Sequence, residues 1–161
     1  MEEIIIKLKE EWTFPKPIIN DGEQSFFKFA CEFNAGIYTD DAEIPSDLQK
    51  FYRISNGAIL FKDVDYGQWG LKIIPYGELQ SFNDYTRNWR GDDIEDMDLV
   101  IGEFLGDLEL VLLSLNDYEY GQVIICPEID KRDDWYFLKI NFKEFLEKYV
   151  EAKGDKFWTI S

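Results

Sequence analysis

The sequence predicts an α+β fold: a mainly antiparallel sheet of about six strands, arranged as a meander and flanked by about four helices. Three observations point there. Between Leu99 and Ile140 apolar stretches rich in Val, Ile and Leu follow one another with short connections, and consecutive strands so joined pair antiparallel. Amphipathic stretches with 3–4 spacing stand apart from these strands instead of alternating with each one, which argues against a doubly wound parallel sheet. The chain is 161 residues, 45% hydrophobic and 17% aromatic, which suits a single domain over 1–161. A chain of that length buries about 70% of its unfolded surface.

Residues 2–12 are ambiguous, because Ile4, Ile5, Ile6 and Leu8 fit either a strand or an amphipathic turn; Pro15 and Pro17 end it either way. Glu23–Phe33 is predicted as a helix, with Phe26, Phe27, Ala30 and Cys31 on a buried side and Gly36 beyond its end. Gly36–Glu43 is an acidic connection. Pro45 holds Ile44 extended, Ser46 and Gln49 have the spacing of a capping box, and Leu48, Phe51, Tyr52 and Ser55 give a short helix one apolar face. Asn56-Gly57 supplies a left-handed stop, and Ala58–Phe61 reads as a buried strand.

Lys62–Gly70 is a polar loop that still carries Tyr66 and Trp69. Leu71–Tyr76 is a strand stopped by Gly77, and Glu78–Arg90 a helix with Leu79, Phe82, Tyr85 and Trp89 in the 3–4 rhythm. Leu99–Leu105 and Leu108–Leu115 form a hairpin around a two-residue Gly106-Asp107 loop, and Val123–Cys126 and Tyr136–Ile140 extend the meander. Asn141 caps a last helix, with Glu144 at the third position and Phe142, Phe145, Leu146 and Tyr149 inward, ended by Gly154. Lys156–Ser161, with Phe157 and Trp158, is a tail that folds back on the core.

Two blocks of this sequence resemble a known family. Ile44, Pro45, Asp47, Leu48, Phe51, Tyr52, Asn56 and Gly57 follow an apolar-Pro-x-Asp-Leu-x-x-Phe pattern closed by Asn-Gly. The block Phe142–Tyr149 is similar to the closing helix of the same group, the SUKH superfamily. The resemblance runs over roughly residues 22–150, and residues 1–20 depart from the family's usual opening. It implies a non-enzymatic protein-binding domain. Relatives include bacterial immunity proteins that neutralise toxins and fungal regulators of cell-wall assembly, so a toxin and a cellular protein are the two partner classes implied. The matched residues are architectural, and no contact is assigned to them.

The residue inventory narrows the chemistry. The chain has no histidine, so Ser-His-Asp and Cys-His arrangements are absent. Two distant cysteines, Cys31 and Cys126, make no structural zinc site and read as free buried thiols in a reducing compartment. No glycine spacing matches a nucleotide loop. Asp63, Asp65 and Gly67 begin like a calcium loop, but Ile74 stands where the twelfth ligand, a bidentate glutamate, is needed. A hydrolase working through two facing carboxylates is a remote alternative, since so many acids always offer some pair. No cofactor is expected. The start Met-Glu-Glu lacks a basic leader and no apolar run reaches membrane length, so a cytoplasmic location is expected.

Charge is the one asymmetric feature. The net charge is −16, from 33 acids and 17 bases, which disfavours nucleic acid and anionic membrane as direct partners. From Gly91 to Asp130 the chain carries twelve acids and no Lys or Arg; the other 121 residues hold 21 acids and all 17 bases. Such a run serves solubility and edge protection, or it docks a basic protein, for which a toxin domain of nuclease type is the expected example. The candidate contacts are Asp92, Asp93, Glu95, Asp96 and Asp98 in the run, with Asp63, Asp65, Tyr66, Trp69, Tyr118 and Tyr120 on loops. Oligomeric state is left open.

Overall fold

The computed structural model describes residues 1–160. It contains an eight-stranded antiparallel sheet in which strands neighbour one another in chain order from β1 to β8. The elements are α1 (Glu2–Trp12), β1 (Lys16–Asn20), β2 (Glu23–Phe33), α2 (Ser46–Ile54), β3 (Ala58–Asp63), β4 (Leu71–Ile73), α3 (Leu79–Arg90), β5 (Asp98–Phe104), β6 (Leu110–Ser114), β7 (Gln122–Cys126), β8 (Tyr136–Asn141) and α4 (Phe142–Glu151). Helices α1, α2 and α4 pack on one another and on one sheet face, while α3 packs against β5.

Two strands more than expected arise because Glu23–Phe33 is β2, not a helix. Asp21 and Gly22 both have positive φ, at 51° and 80°, and place Asn20 opposite Glu23 in a two-residue hairpin. That turn chemistry commits both flanking segments to pairing, and the phenylalanine-rich sequence suits a strand. Phe26 is consequently 91% exposed instead of buried, while Ala30 and Cys31 do reach the core. The ambiguous first stretch is α1, which buries Ile5, Leu8 and Trp12.

The α2 unit forms as expected except at its start. Pro45 is the N-cap and no side chain caps the helix; Gln49 instead donates from Nε2 to the carbonyls of Asp41 and Ile44 at 2.7 and 3.1 Å. Gly57 has φ +83°, the left-handed stop, and Asn56 Oδ1 accepts the Tyr76 amide at 2.8 Å. The β5–β6 loop is longer than two residues, since the Phe104 amide donates to the Glu109 carbonyl at 2.8 Å around Leu105–Leu108. At α4 both halves of the Asn141/Glu144 capping box are present.

Strand alternation splits the sheet's apolar residues between two faces. Leu60, Ile101, Val111, Leu113, Val123 and Ile125 join α1, α2 and α4 in the main core. Val100, Leu112, Ile124 and Cys126 form a smaller cluster with Trp135, against which Phe82 of α3 packs. The tail folds back as expected at Phe157 and Trp158, which pack against Phe145, while Ser161 lies outside the described residues.

Candidate functional site

A meander sends alternate connections to opposite ends of the sheet, and this divides the expected contacts. Asp63, Asp65, Tyr66 and Trp69 lie in the β3–β4 connection, at the same end as the β5–β6 hairpin. The segment Asp92–Asp98 and the β6–β7 loop with Tyr118 and Tyr120 lie at the other end.

Most of the first group serves the loop itself. Asp63 is buried, and its Oδ1 accepts the amides of Asp65 and Tyr66 at 2.9 and 3.2 Å. The Asp65 carboxylate accepts the Lys28 amide at 3.2 Å, and Trp69 donates from Nε1 to the Gly154 carbonyl at 3.2 Å, tying the tail down. Of the four, Asp65 and Tyr66 are exposed, and Tyr66 stands edge-on to Phe27.

The acidic run is less bare in three dimensions than in sequence. Arg90 meets Asp93 at 3.5 Å, Arg132 meets Glu95 at 3.2 Å and Asp98 at 2.6 Å, and Lys72 meets Glu103 at 3.9 Å. Lys156 pairs with Asp107 and, at 2.7 Å, with Glu109. Among the described residues, no base lies within ion-pair distance of Asp92, Asp96, Asp117, Glu119, Glu128 or Asp130. The neutralising bases lie outside the run, two of them close to its ends and two far away, which is why a linear count overstates the charge.

Asp98 belongs to the framework: it is 2% exposed. Its two oxygens accept from both terminal nitrogens of Arg132, at 2.6 and 3.1 Å, and Oδ2 also accepts the Glu95 amide at 2.8 Å. Burial tends to lower the pKa of the Arg132 guanidinium, but hydrogen bonding and charge from Asp98 and Glu95 outweigh it and hold the group above its usual value. The guanidinium groups of Arg90 and Arg132 both lie over the Trp135 ring, at 5.6 and 5.1 Å from its centre. This clasp fixes Gly91–Asp98 against the β7–β8 loop.

Beside it opens a cleft of about 400 Å³, between α3, the chain entering α2 and the start of β5. Asp41, Glu43, Asp96 and Asp98 line it against one base, Arg87. Arg87 is already committed, donating to the Asp98 carbonyl at 2.6 Å and to Asn83 Oδ1 at 3.2 Å. Asn83 is buried and completes β5 like an extra strand residue: Nδ2 donates to the Val100 carbonyl and Oδ1 accepts the Val100 amide, both at 2.8 Å. Asp41 is oriented by the Tyr76 hydroxyl, which donates to it at 2.9 Å, and by the Glu43 amide, also at 2.9 Å. Leu115 brings the β6–β7 loop to the cleft, and Tyr118 and Tyr120 on that loop are exposed.

Asp41 and Glu43 were not among the expected contacts. Their signal was the short acidic stretch before α2, which in sequence is remote from Asp96. The cleft offers anchored acceptors suited to cationic groups. Among the described residues, no three or more acids or cysteines are grouped so as to hold a metal ion. Burial pushes both thiols, Cys31 and Cys126, up to about 12, the opposite of an activated nucleophile. No helix is long and apolar enough to cross a membrane among the described residues.

Comparison with known proteins agrees with this architecture. An uncharacterized protein, YobM of Bacillus subtilis (strain 168), is 27% identical over 119 residues, covering 71% of this chain. The chain spans 61% of that relative's length. The SMI1 / KNR4 family (SUKH-1) pattern matches residues 41–148, from the first acid of the cleft to the buried face of α4. That match covers more than half of the sequence, and the chain belongs to the SMI1 / KNR4 family (SUKH-1).

Proposed function

We propose that this protein is a non-enzymatic binding domain that docks a basic protein at the α3 end of the sheet, and that it acts as an immunity protein against a toxin of nuclease type. Family membership supports the protein-binding role at a general level. The observation that carries the rest is the cleft, where three carboxylates without an ion-pair partner among the described residues, Asp41, Glu43 and Asp96, stand with a single guanidinium already held by its neighbours, the fourth, Asp98, being taken by Arg132. Asp92, on the adjoining segment and without an ion-pair partner among the described residues, adds to the negative potential. Complementary charge of this kind raises the association rate and selects orientation, and a Debye length of about 8 Å at physiological salt screens it.

The test uses a basic toxin domain of nuclease type as the partner, sought among the genes that adjoin this one. Association should slow steeply with salt while dissociation changes less. Glu43→Lys with Asp96→Lys should cut the association rate at least about tenfold. Glu147→Lys with Glu151→Lys on α4, outside the acidic run, should change it little. Equal effects of the two pairs, or a rate flat in salt, would leave the acids as a solubility feature. Growth protection when the toxin domain is co-expressed separates immunity from a regulatory scaffold, which would bind a cellular protein without protecting.

A further inference from the structure

Helix α3 is a wall with two flanks. Gln80, Asn83 and Arg87 line the acidic cleft, while Phe82, Tyr85 and Trp89 line a second, narrower slot. A 3–4 stripe of aromatic residues ordinarily marks a buried helix face. Here Tyr85 is 63% and Trp89 46% exposed, and the inward residues are Leu79, Asn83 and Thr86. The slot is closed opposite the helix by Leu108, Leu110 and Glu103.

Leu108 sharpens the point. It sits in the β5–β6 loop at φ +56°, a conformation glycine or asparagine adopts at lower energy, and its side chain is half-exposed. Folding gains little from a leucine held in that way, whereas a docked group would bury it. The slot holds about 120 Å³. Small-molecule sites run to roughly 300–1,000 Å³, so there is room for one side chain and not for a metabolite. Its wall carries the Glu103 carboxylate, whose contact with Lys72 is loose at 3.9 Å and partly exposed. Arg90 lies near the Trp89 ring but is engaged by the Glu128 and Asp130 carbonyls.

We propose that the slot receives one lysine or arginine side chain of a basic partner, its aliphatic stem on Phe82 and Leu108 and its cation against Tyr85, Trp89 and Glu103. Aromatic faces next to a carboxylate are the surroundings such a cation binds best. The proposal rests on the docking reading of the cleft for the identity of the partner. A helix is about 10–12 Å across, so a standard interface of about 800 Å² per partner spans cleft, helix and slot together.

The slot is tested on the full chain without a partner, by NMR titration with butylguanidinium, using n-butanol and guanidinium as controls. Butylguanidinium should move the Leu108 methyl and Trp89 indole signals saturably at millimolar concentration, the range open to one side chain. Tyr85→Ala, Trp89→Ala and Glu103→Gln should each weaken it about fivefold, as followed at Leu108. Both aromatic positions are surface positions, and an unchanged melting temperature in either variant suffices for the comparison. Equal movement with n-butanol, absence of saturation, or signals that shift with protein concentration alone would overturn the proposal, the last by showing a second copy in the slot. Asp96→Lys should leave the butylguanidinium response intact, so failure of the slot and failure of the cleft are separate results.

Discussion

Replacing Arg132 with methionine removes the cation that holds Asp98 and lies over the Trp135 and Phe137 rings, while keeping an unbranched apolar side chain of comparable length. Two unit charges about 4 Å apart attract by roughly 4 kcal/mol at an effective dielectric of about 20. Asp98 is almost fully buried, but the Arg132 side chain is 23% exposed, so solvent screens part of that attraction. What remains is dominated by a carboxylate left buried without its partner, and the expected loss is about 2–4 kcal/mol. For a domain of this size each kcal/mol lowers Tm by about 2–4 °C, so the variant should melt roughly 5–15 °C lower. Urea unfolding supplies the free energy, and a cycle with Asp98→Asn isolates the pair. The double variant should lose clearly less than the sum of the singles. Hydrogen exchange at the Glu95 amide, which donates to Asp98 Oδ2, should quicken as the Gly91–Asp98 segment loosens. An additive cycle, or a Tm lowered by less than about 1 °C, would refute the view that this ion pair organises the acidic segment.

Gly57→Val should destabilise by roughly 1–3 kcal/mol, since a β-branched residue is strained at positive φ. The added Cβ would also come within 2.9 Å of the Ile73 carbonyl oxygen; an unchanged urea midpoint would contradict this. Asn141→Ala should cost about 1 kcal/mol through loss of the α4 capping box, measured by the same unfolding curves, with little effect on partner binding. Burial raises Cys31 and Cys126 to about 12, above the ordinary thiol value of 9.0, so the folded state keeps protons that the unfolded state releases. Stability from this source is intact below pH 9 and falls as pH rises toward 12; Cys31→Val should flatten the decline seen in urea midpoints across that range. Native thiols should correspondingly resist alkylation at pH 8 until urea exposes them.

The legible parts of the fold were those decided by neighbours in sequence. The Asn141/Glu144 box, the Asn56-Gly57 stop and the apolar faces of α2 and α4 each depend on residues within a turn or two, and each forms. Glu23–Phe33 was illegible because Phe26, Phe27, Ala30 and Cys31 satisfy a helical spacing. Strand pairing across the Asp21-Gly22 turn overrides it. In α3 the helix was legible and its inward face was not. Asn83, which falls outside the Leu79, Phe82, Tyr85 and Trp89 rhythm, is buried because its side-chain amide pairs the Val100 backbone of β5.

By itself the sequence determined the class of the fold, the family blocks, the lack of histidine chemistry and the excess of acid. Those properties are sums or short-range patterns, which no rearrangement of the chain alters. Only the tertiary structure decided which acids remain free, because Arg132 and Lys156 reach Asp98, Asp107 and Glu109 across long intervals of chain. It also decided which acids share a surface, bringing Asp41 and Glu43 to Asp96 while sending Asp63 and Asp65 to the opposite end. Coulomb attraction depends on separation in space and on solvent exposure, and a meander of eight strands sets both through which ends its loops leave by.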